Sequence, residues 1–252
     1  MNKNISLPSE TNRKRKPPTS NGVKKAIVFC NGDLADLSRV KRHIKKDTLL
    51  IGCDGGASHI LALRLTPHVV IGDMDSLSRR ILRALQKKKV ELIRYPRDKL
   101  YTDSELGVAL AVARGCRDVI LAGVRGTSTD HLVGNIFMLA KKRFASVRLR
   151  IIEGREEIEL VRARLRIRGK KGDDVSLIPV GRDAAGVSAK GLFYPLKNEV
   201  LRSGSARGIR NKMTGKTADI SVRNGSLLVV HRLGDQSPSF LRNSGTFAMK
   251  KR

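Results

Sequence analysis

The chain has no tryptophan, and aromatic residues fill only 4% of its 252 positions. Burial must come mainly from aliphatic side chains, and a hydrophobic content of 40% is enough for a real core. Cysteine is scarce, with Cys30, Cys53 and Cys116 far apart and odd in number. That spacing excludes a disulfide framework and an ordinary zinc site, and points to free, buried or half-buried thiols in a reducing compartment. No run approaches 18 uninterrupted apolar residues, so no membrane-spanning helix is expected. Residues 1–10 lack the apolar stretch of a secretory signal, and a cytoplasmic protein is expected. Negative charge is also short, with 51 Lys+Arg against 23 Asp+Glu and a net charge of +28. Such a field steers anionic ligands and favours nonspecific, salt-sensitive polyanion binding. The basic residues lack the interleaved aromatics of single-strand binders, and no helix-turn-helix, RNP or zinc-finger pattern accompanies them.

Residues 1–24 are basic and polar with a Pro-Pro pair, which reads as a disordered tail. From 25 to 152, short apolar runs alternate with helical patterns. Strands are expected near 26–30, 48–53, 68–72, 90–95, 118–122 and 147–152. Helices are expected near 34–45, 56–64, 78–88, 103–114 and 131–142. This alternation predicts an α/β domain with a largely parallel sheet covered on both faces. Over 153–232 the pattern changes to period 2. Val161, Ala163, Leu165 and Ile167 alternate with Arg162, Arg164, Arg166 and Arg168, the mark of a strand with one buried and one cationic, solvated face. Further strands are expected at 174–180, 218–222 and 226–230, with Asn224-Gly225 as a hairpin turn between the last two. A small all-β sandwich follows, and 233–252 reads as a second loose tail.

The chemistry concentrates after the strands of the first region. Asp73 and Asp75 flank Met74 at the end of an apolar strand, where alternation would put both carboxylates on one side. Two carboxylates that close repel unless a cation sits between them, and hard oxygen ligands suit Mg²⁺. A surface turn is the plain alternative. Asp54-Gly55-Gly56 follows the second strand, and its glycines allow close backbone approach. Thr102-Asp103-Ser104-Glu105 opens a helix and also fits a capping box. Gly123 to Thr129 is a Gly- and Thr-rich loop leading to Asp130-His131. Asn31-Gly32-Asp33 after the first strand is either a plain turn or part of the same site. In an open parallel sheet, ligands bind beyond the carboxyl ends of the strands, where these motifs fall. No histidine has metal-ligand spacing, and none is given a catalytic role. Thr214-Gly215-Lys216-Thr217 imitates the end of a P-loop, but Arg210 stands where the first glycine belongs, so a loop between strands is expected.

In order and spacing, Asp54-Gly-Gly-Ala57, Gly72-Asp-Met-Asp-Ser76, Thr102-Asp-Ser-Glu105 and Asp130-His131 resemble the motifs of the thiamine pyrophosphokinase family. The similarity continues through Gly191-Leu-Phe-Tyr-Pro-Leu196 to Asn211 and covers roughly 25–232. The resemblance implies an α/β nucleotide-binding domain followed by a smaller β-sandwich, usually as a homodimer. It also implies transfer of pyrophosphate from ATP to the hydroxyl of thiamine, giving thiamine diphosphate and AMP. By that resemblance Asp54, Asp73, Asp75 and Asp103 form the catalytic set, with Asp73, Asp75 and Asp103 holding Mg²⁺. Gly55, Gly56, Ser76, Thr102, Arg125 and Asp130 would meet ATP or its phosphates, and Asn211 the substrate. Three positions depart from the family pattern. Ser128 replaces an arginine, Leu100 an acid, and Arg210 a serine. Arg210 and Ser128 leave open a pyrophosphokinase for another hydroxymethyl heterocycle. The charge leaves open a basic nucleic-acid-binding module on a degenerate enzyme scaffold.

Overall fold

A computed structural model describes residues 24–234 except Ala35 and Thr127. The expected tails lie outside these residues apart from Lys24, Leu233 and Gly234. The first region contains β1 (Lys24–Phe29), α1 (Ser38–Lys41), β2 (Leu49–Cys53), α2 (Ala57–Ala62), β3 (Val69–Gly72), α3 (Arg79–Lys87), β4 (Glu91–Arg94), α4 (Asp103–Ala113), β5 (Cys116–Ala122), α5 (Thr129–Met138) and β6 (Arg148–Glu153). Its strands are parallel in the order β4-β3-β2-β1-β5-β6. Alternation explains why they read as continuous apolar runs. Val28, Ile51, Val119 and Leu121 face α4 and α5, while Ile27, Phe29, Leu50 and Ile120 face α1 and α2. Both faces are covered, so no position in these strands is spared. The strand order reverses at β1, with β2 on one side and β5 on the other. That reversal opens a crevice at the carboxyl ends.

The second region contains β7 (Glu156–Val161), β8 (Arg164–Arg168), β9 (Asp174–Pro179), β10 (Ala184–Lys190), β11 (Leu196–Leu201), β12 (Asn211–Lys212), β13 (Thr217–Ser221) and β14 (Leu227–Arg232). The large sheet does not stop at β6. β7, β14, β9 and β12 continue it antiparallel, giving ten strands, and β11-β10-β13-β8 form a separate four-stranded sheet. Val175, Leu177, Leu227 and Val229 from one sheet meet Val187, Ala189, Ala218 and Ile220 from the other. The fold is thus a mixed α/β sheet domain followed by a β-rich sandwich.

Three local expectations are corrected. The strand expected across 161–168 is two strands in different sheets. The chain breaks at Arg162-Ala163 because Val161 packs with β14 while Leu165 and Ile167 turn to β13. Asn224-Gly225 is a crossover between sheets, not a hairpin turn, since β13 and β14 face one another across the core and do not pair. The first helix is one turn, Ser38–Lys41, although its expected span was 34–45.

Candidate active site

The loops after β1, β2, β4 and β5 surround a cavity of about 570 Å³. Asp33, Asp54 and Asp103 line it, as do Arg97, Lys99, Thr102, Ser104, Ser128, His131 and Asn135. The Asp73–Ser76 loop after β3 flanks it and is tied to the β1 loop by Asn31 Nδ2, which donates to Ser76 Oγ at 3.2 Å.

Asp54 is the buried centre of this arrangement. Its backbone is left-handed (φ 46), and its Oδ1 accepts the Met74 N–H at 2.9 Å. Met74 is also left-handed (φ 65) and buries its side chain beside Leu77 and Leu85. Gly72, at φ 141, leaves room for the Asp54 carboxylate, since a Cβ there would fall 1.9 Å from Asp54 Oδ1. Burial is the main cause that raises the Asp54 carboxyl to about 7. The Met74 N–H opposes it, and the negative charges of Asp103 and Asp73 add to it.

Asp73 and Asp75 do not extend the strand, so the alternation argument fails for this pair. Asp73 Oδ1 accepts the Asp75 N–H at 3.0 Å, a side-chain turn, and Ser76 Oγ donates to Asp75 Oδ1 at 3.1 Å. The Asp75 N–H holds Asp73 below the ordinary carboxylate value, with Lys99 and Arg97 contributing. Asp103 opens α4, whose N-cap Thr102 accepts the Glu105 N–H at 3.3 Å. The reciprocal half of the capping box is not made, because Glu105 instead binds Lys141 at 2.6 Å. Lys99 Nζ lies 3.0 Å from Asp103 Oδ1, but without hydrogen-bond geometry, and that oxygen is buried and otherwise unpartnered.

Other expected contacts are placed differently. Gly55 and Gly56 are buried in a 3₁₀ turn, where a Cβ would strike the Asn31 side chain or the Phe29 carbonyl. They serve close packing and do not line the cavity. Arg125 is exposed, pairs with Glu156, and does not line the cavity. Asp130 lies in the first turn of α5, accepting from Ser128 Oγ and from the His131 N–H at 2.8 Å. Asn211 lines a different pocket. Its Oδ1 accepts the Tyr194 N–H at 3.0 Å and its Nδ2 donates to the Tyr194 carbonyl at 2.7 Å, so it clamps the Phe193–Pro195 loop.

The sequence reading assigned no role to Arg97 and Lys99, whose cations stand among the acids, nor to Asn135. Asn135 is buried, and its Oδ1 accepts from Ser104 Oγ at 2.6 Å. It falls one helical turn beyond His131, the spacing that could have flagged it. Glu153 was also missed. It accepts the Val124 N–H at 2.8 Å and shapes the loop after β5.

A hard cation fits these residues. One buried carboxylate oxygen lacks a hydrogen-bond partner, a second carboxylate is held below its ordinary value, and a third is raised by burial and by its acidic neighbours. Among the described residues no three such groups stand close enough to hold an ion alone. Partial protein ligation completed by phosphate and water is the ordinary habit of Mg²⁺.

Carboxylates, two cations and a helix N-terminus at the switch point of an α/β sheet define an enzyme of nucleotide phosphoryl chemistry. The model for the thiamin pyrophosphokinase catalytic domain matches residues 40–151, and that for the thiamin pyrophosphokinase vitamin B1 binding domain matches 162–227. The chain belongs to the thiamin pyrophosphokinase family. It is 27% identical over 185 residues to the thiamine pyrophosphokinase of Bacillus subtilis, covering 73% of this chain and 86% of that protein. It is 26% identical to thiamine pyrophosphokinase 1 of Arabidopsis thaliana, covering 84% and 86%. The crystal structure of a thiamin pyrophosphokinase from Geobacillus thermodenitrificans superposes with a TM-score of 0.73 at 26% identity, covering 84% and 98%. The Bacillus subtilis structure shares the fold with a TM-score of 0.76 at 24% identity, covering 84% and 100%.

Proposed function

We propose that the cavity beyond β1–β5 is where this thiamine diphosphokinase moves a pyrophosphoryl group from ATP to the thiamine hydroxyl, releasing AMP. The observation that carries the assignment is the convergence of Asp54 and Asp103, beside Asp73, with Lys99 and Arg97. Transfer of this kind needs in-line positioning and neutralised charge more than covalent help. Asp73, Asp75 and Asp103 would hold Mg²⁺, which when bound neutralises phosphate charge. Asp54 fixes the Asp73–Ser76 turn through the Met74 N–H, and its carboxyl, raised to about 7, would ionise beside a bound cation. Lys99 and Arg97 bind phosphate oxygens, taking over the charge lost where Ser128 replaces arginine. Ser76 and Thr102 would turn their hydroxyl protons from Asp75 and Ser104 to phosphate. Asn135, its Oδ1 committed to Ser104, turns its carboxamide N–H groups to the substrate.

Asn211 acts by holding the Phe193-Tyr194 pair, whose rings meet edge-to-face at 4.9 Å and are 65% and 66% exposed. Such exposed rings support a homodimer. Three buried free thiols support a cytoplasmic location. Among the described residues no helix is long and apolar enough to cross a membrane. Neither the other-heterocycle reading nor the nucleic-acid module gains support from these relatives. Phosphorus NMR of a reaction with ATP, Mg²⁺ and thiamine tests the reaction type. Thiamine diphosphate with AMP is expected, and thiamine monophosphate with ADP would refute pyrophosphoryl transfer.

A further inference from the structure

A second cavity, of about 440 Å³, lies where β8 stands beside β6, β7 and β14, and it shares no lining residue with the carboxylate cavity. Its walls carry Arg148, Arg150, Arg166 and Arg168 against Glu157 and Glu159. The carboxylates are already engaged. Arg148 holds Glu159 through two hydrogen bonds of 2.8 and 2.9 Å, and Arg150 holds Glu157 at 2.8 Å. Arg150 also reaches Asp118 at 2.7 Å, and Arg166 reaches Asp219 at 2.6 Å. Donor capacity is left over after this pairing. The Arg168 side chain has neither a hydrogen bond nor an ion pair among the described residues. Burial and the Arg150 charge hold His43, on the same wall, below its ordinary value, so it is neutral near pH 7 and lends the cavity no positive charge. β8 is the outermost strand of its sheet, so the peptide groups along its free edge also lack ladder partners.

We propose that this cavity binds a small phosphate- or diphosphate-bearing molecule, gripped by the unpaired Arg168, as a site separate from the catalytic one. Guanidinium forks match the geometry of phosphate oxygens, and a site walled by several of them favours a multiply charged anion over a single carboxylate. The competing use of these arginines is to keep β8 from pairing with another chain's edge.

The probe is inorganic pyrophosphate, titrated calorimetrically into the full chain at low salt with EDTA. Without a divalent cation, the clustered carboxylates disfavour the probe in the catalytic cavity. The expected result is one saturable site whose affinity falls about tenfold in Arg168→Ala, the scale of a lost charged hydrogen bond. Arg83→Ala, which removes an exposed cation on α3, should bind as wild type does. Wild-type affinity in Arg168→Ala, or equal weakening in Arg83→Ala, would overturn the proposal. No binding to the wild type would also overturn it and leave the arginines as guards of the edge strand.

Discussion

Asp54 and Met74 hold left-handed backbone angles that few side chains adopt, and each is kept there by the other. The Asp54 carboxylate accepts the Met74 N–H, and the buried Met74 side chain anchors the turn that presents Asp73 and Asp75. Gly72 leaves the space this requires. Gly72→Ala should therefore cost roughly 1–3 kcal/mol in urea unfolding and more than tenfold in turnover, because the new Cβ strikes Asp54. Unchanged turnover would show that the Asp54–Met74 lock is dispensable. The acids of this site were legible in the sequence because each follows a strand. Their geometry was not, since period 2 cannot foresee a left-handed residue between two aspartates. Lys99 and Arg97 were passed over because that stretch was searched for the acid that Leu100 replaces, not for cations.

The loop between β5 and α5 is shaped from a distance. Glu153, at the end of β6, is raised by burial and opposed by the backbone N–H groups of Val124, Arg125 and Gly123. Those donors are therefore turned toward protein. Glu153→Ala should cost about 1–3 kcal/mol by leaving them unmatched, and should raise KM because Gly123, Val124 and Gly126 line the cavity. Glu153→Gln keeps one acceptor oxygen and should fall between alanine and wild type. Equal loss in both variants would mean that packing, not the hydrogen bonds, sets the loop. At this scale the strands of the α/β region and its helices after the first were legible from alternation and caps. The sheet to which β8 belongs was not, because period 2 names the buried face but not the strand that covers it.

Across the whole molecule, one ionic network ties the parallel and antiparallel parts of the large sheet. Arg150 on β6 joins Asp118 on β5 and Glu157 on β7, with Arg39 and Lys25 at its margins. Burial raises the Asp118 and Glu157 carboxyls, but Arg150 and its neighbours outweigh it, and both titrate below their ordinary values. Depressed carboxylates add stability above the unfolded value of about 4 and lose it as pH falls through the folded one. Arg150→Met should cost roughly 1–3 kcal/mol at pH 7, where it leaves two half-buried carboxylates with only Lys25 and Arg39 as partners. The difference from wild type should narrow as pH drops below about 4. A difference independent of pH would contradict the network. The continuity of the ten-stranded sheet past β6 could not be read from the sequence, because a change from α/β to period 2 looks the same whether a new sheet begins or the old one is extended.

AMP release from ATP and Mg²⁺, measured with and without thiamine in wild type and in Asp103→Asn, tests the central claim most directly. The account predicts thiamine-dependent release that falls by about a hundredfold or more in the variant, the scale of removing a group that stabilises transferring charge, with folding intact by circular dichroism. Release in Asp103→Asn at the wild-type rate would contradict the assignment of this cavity as the site of reaction.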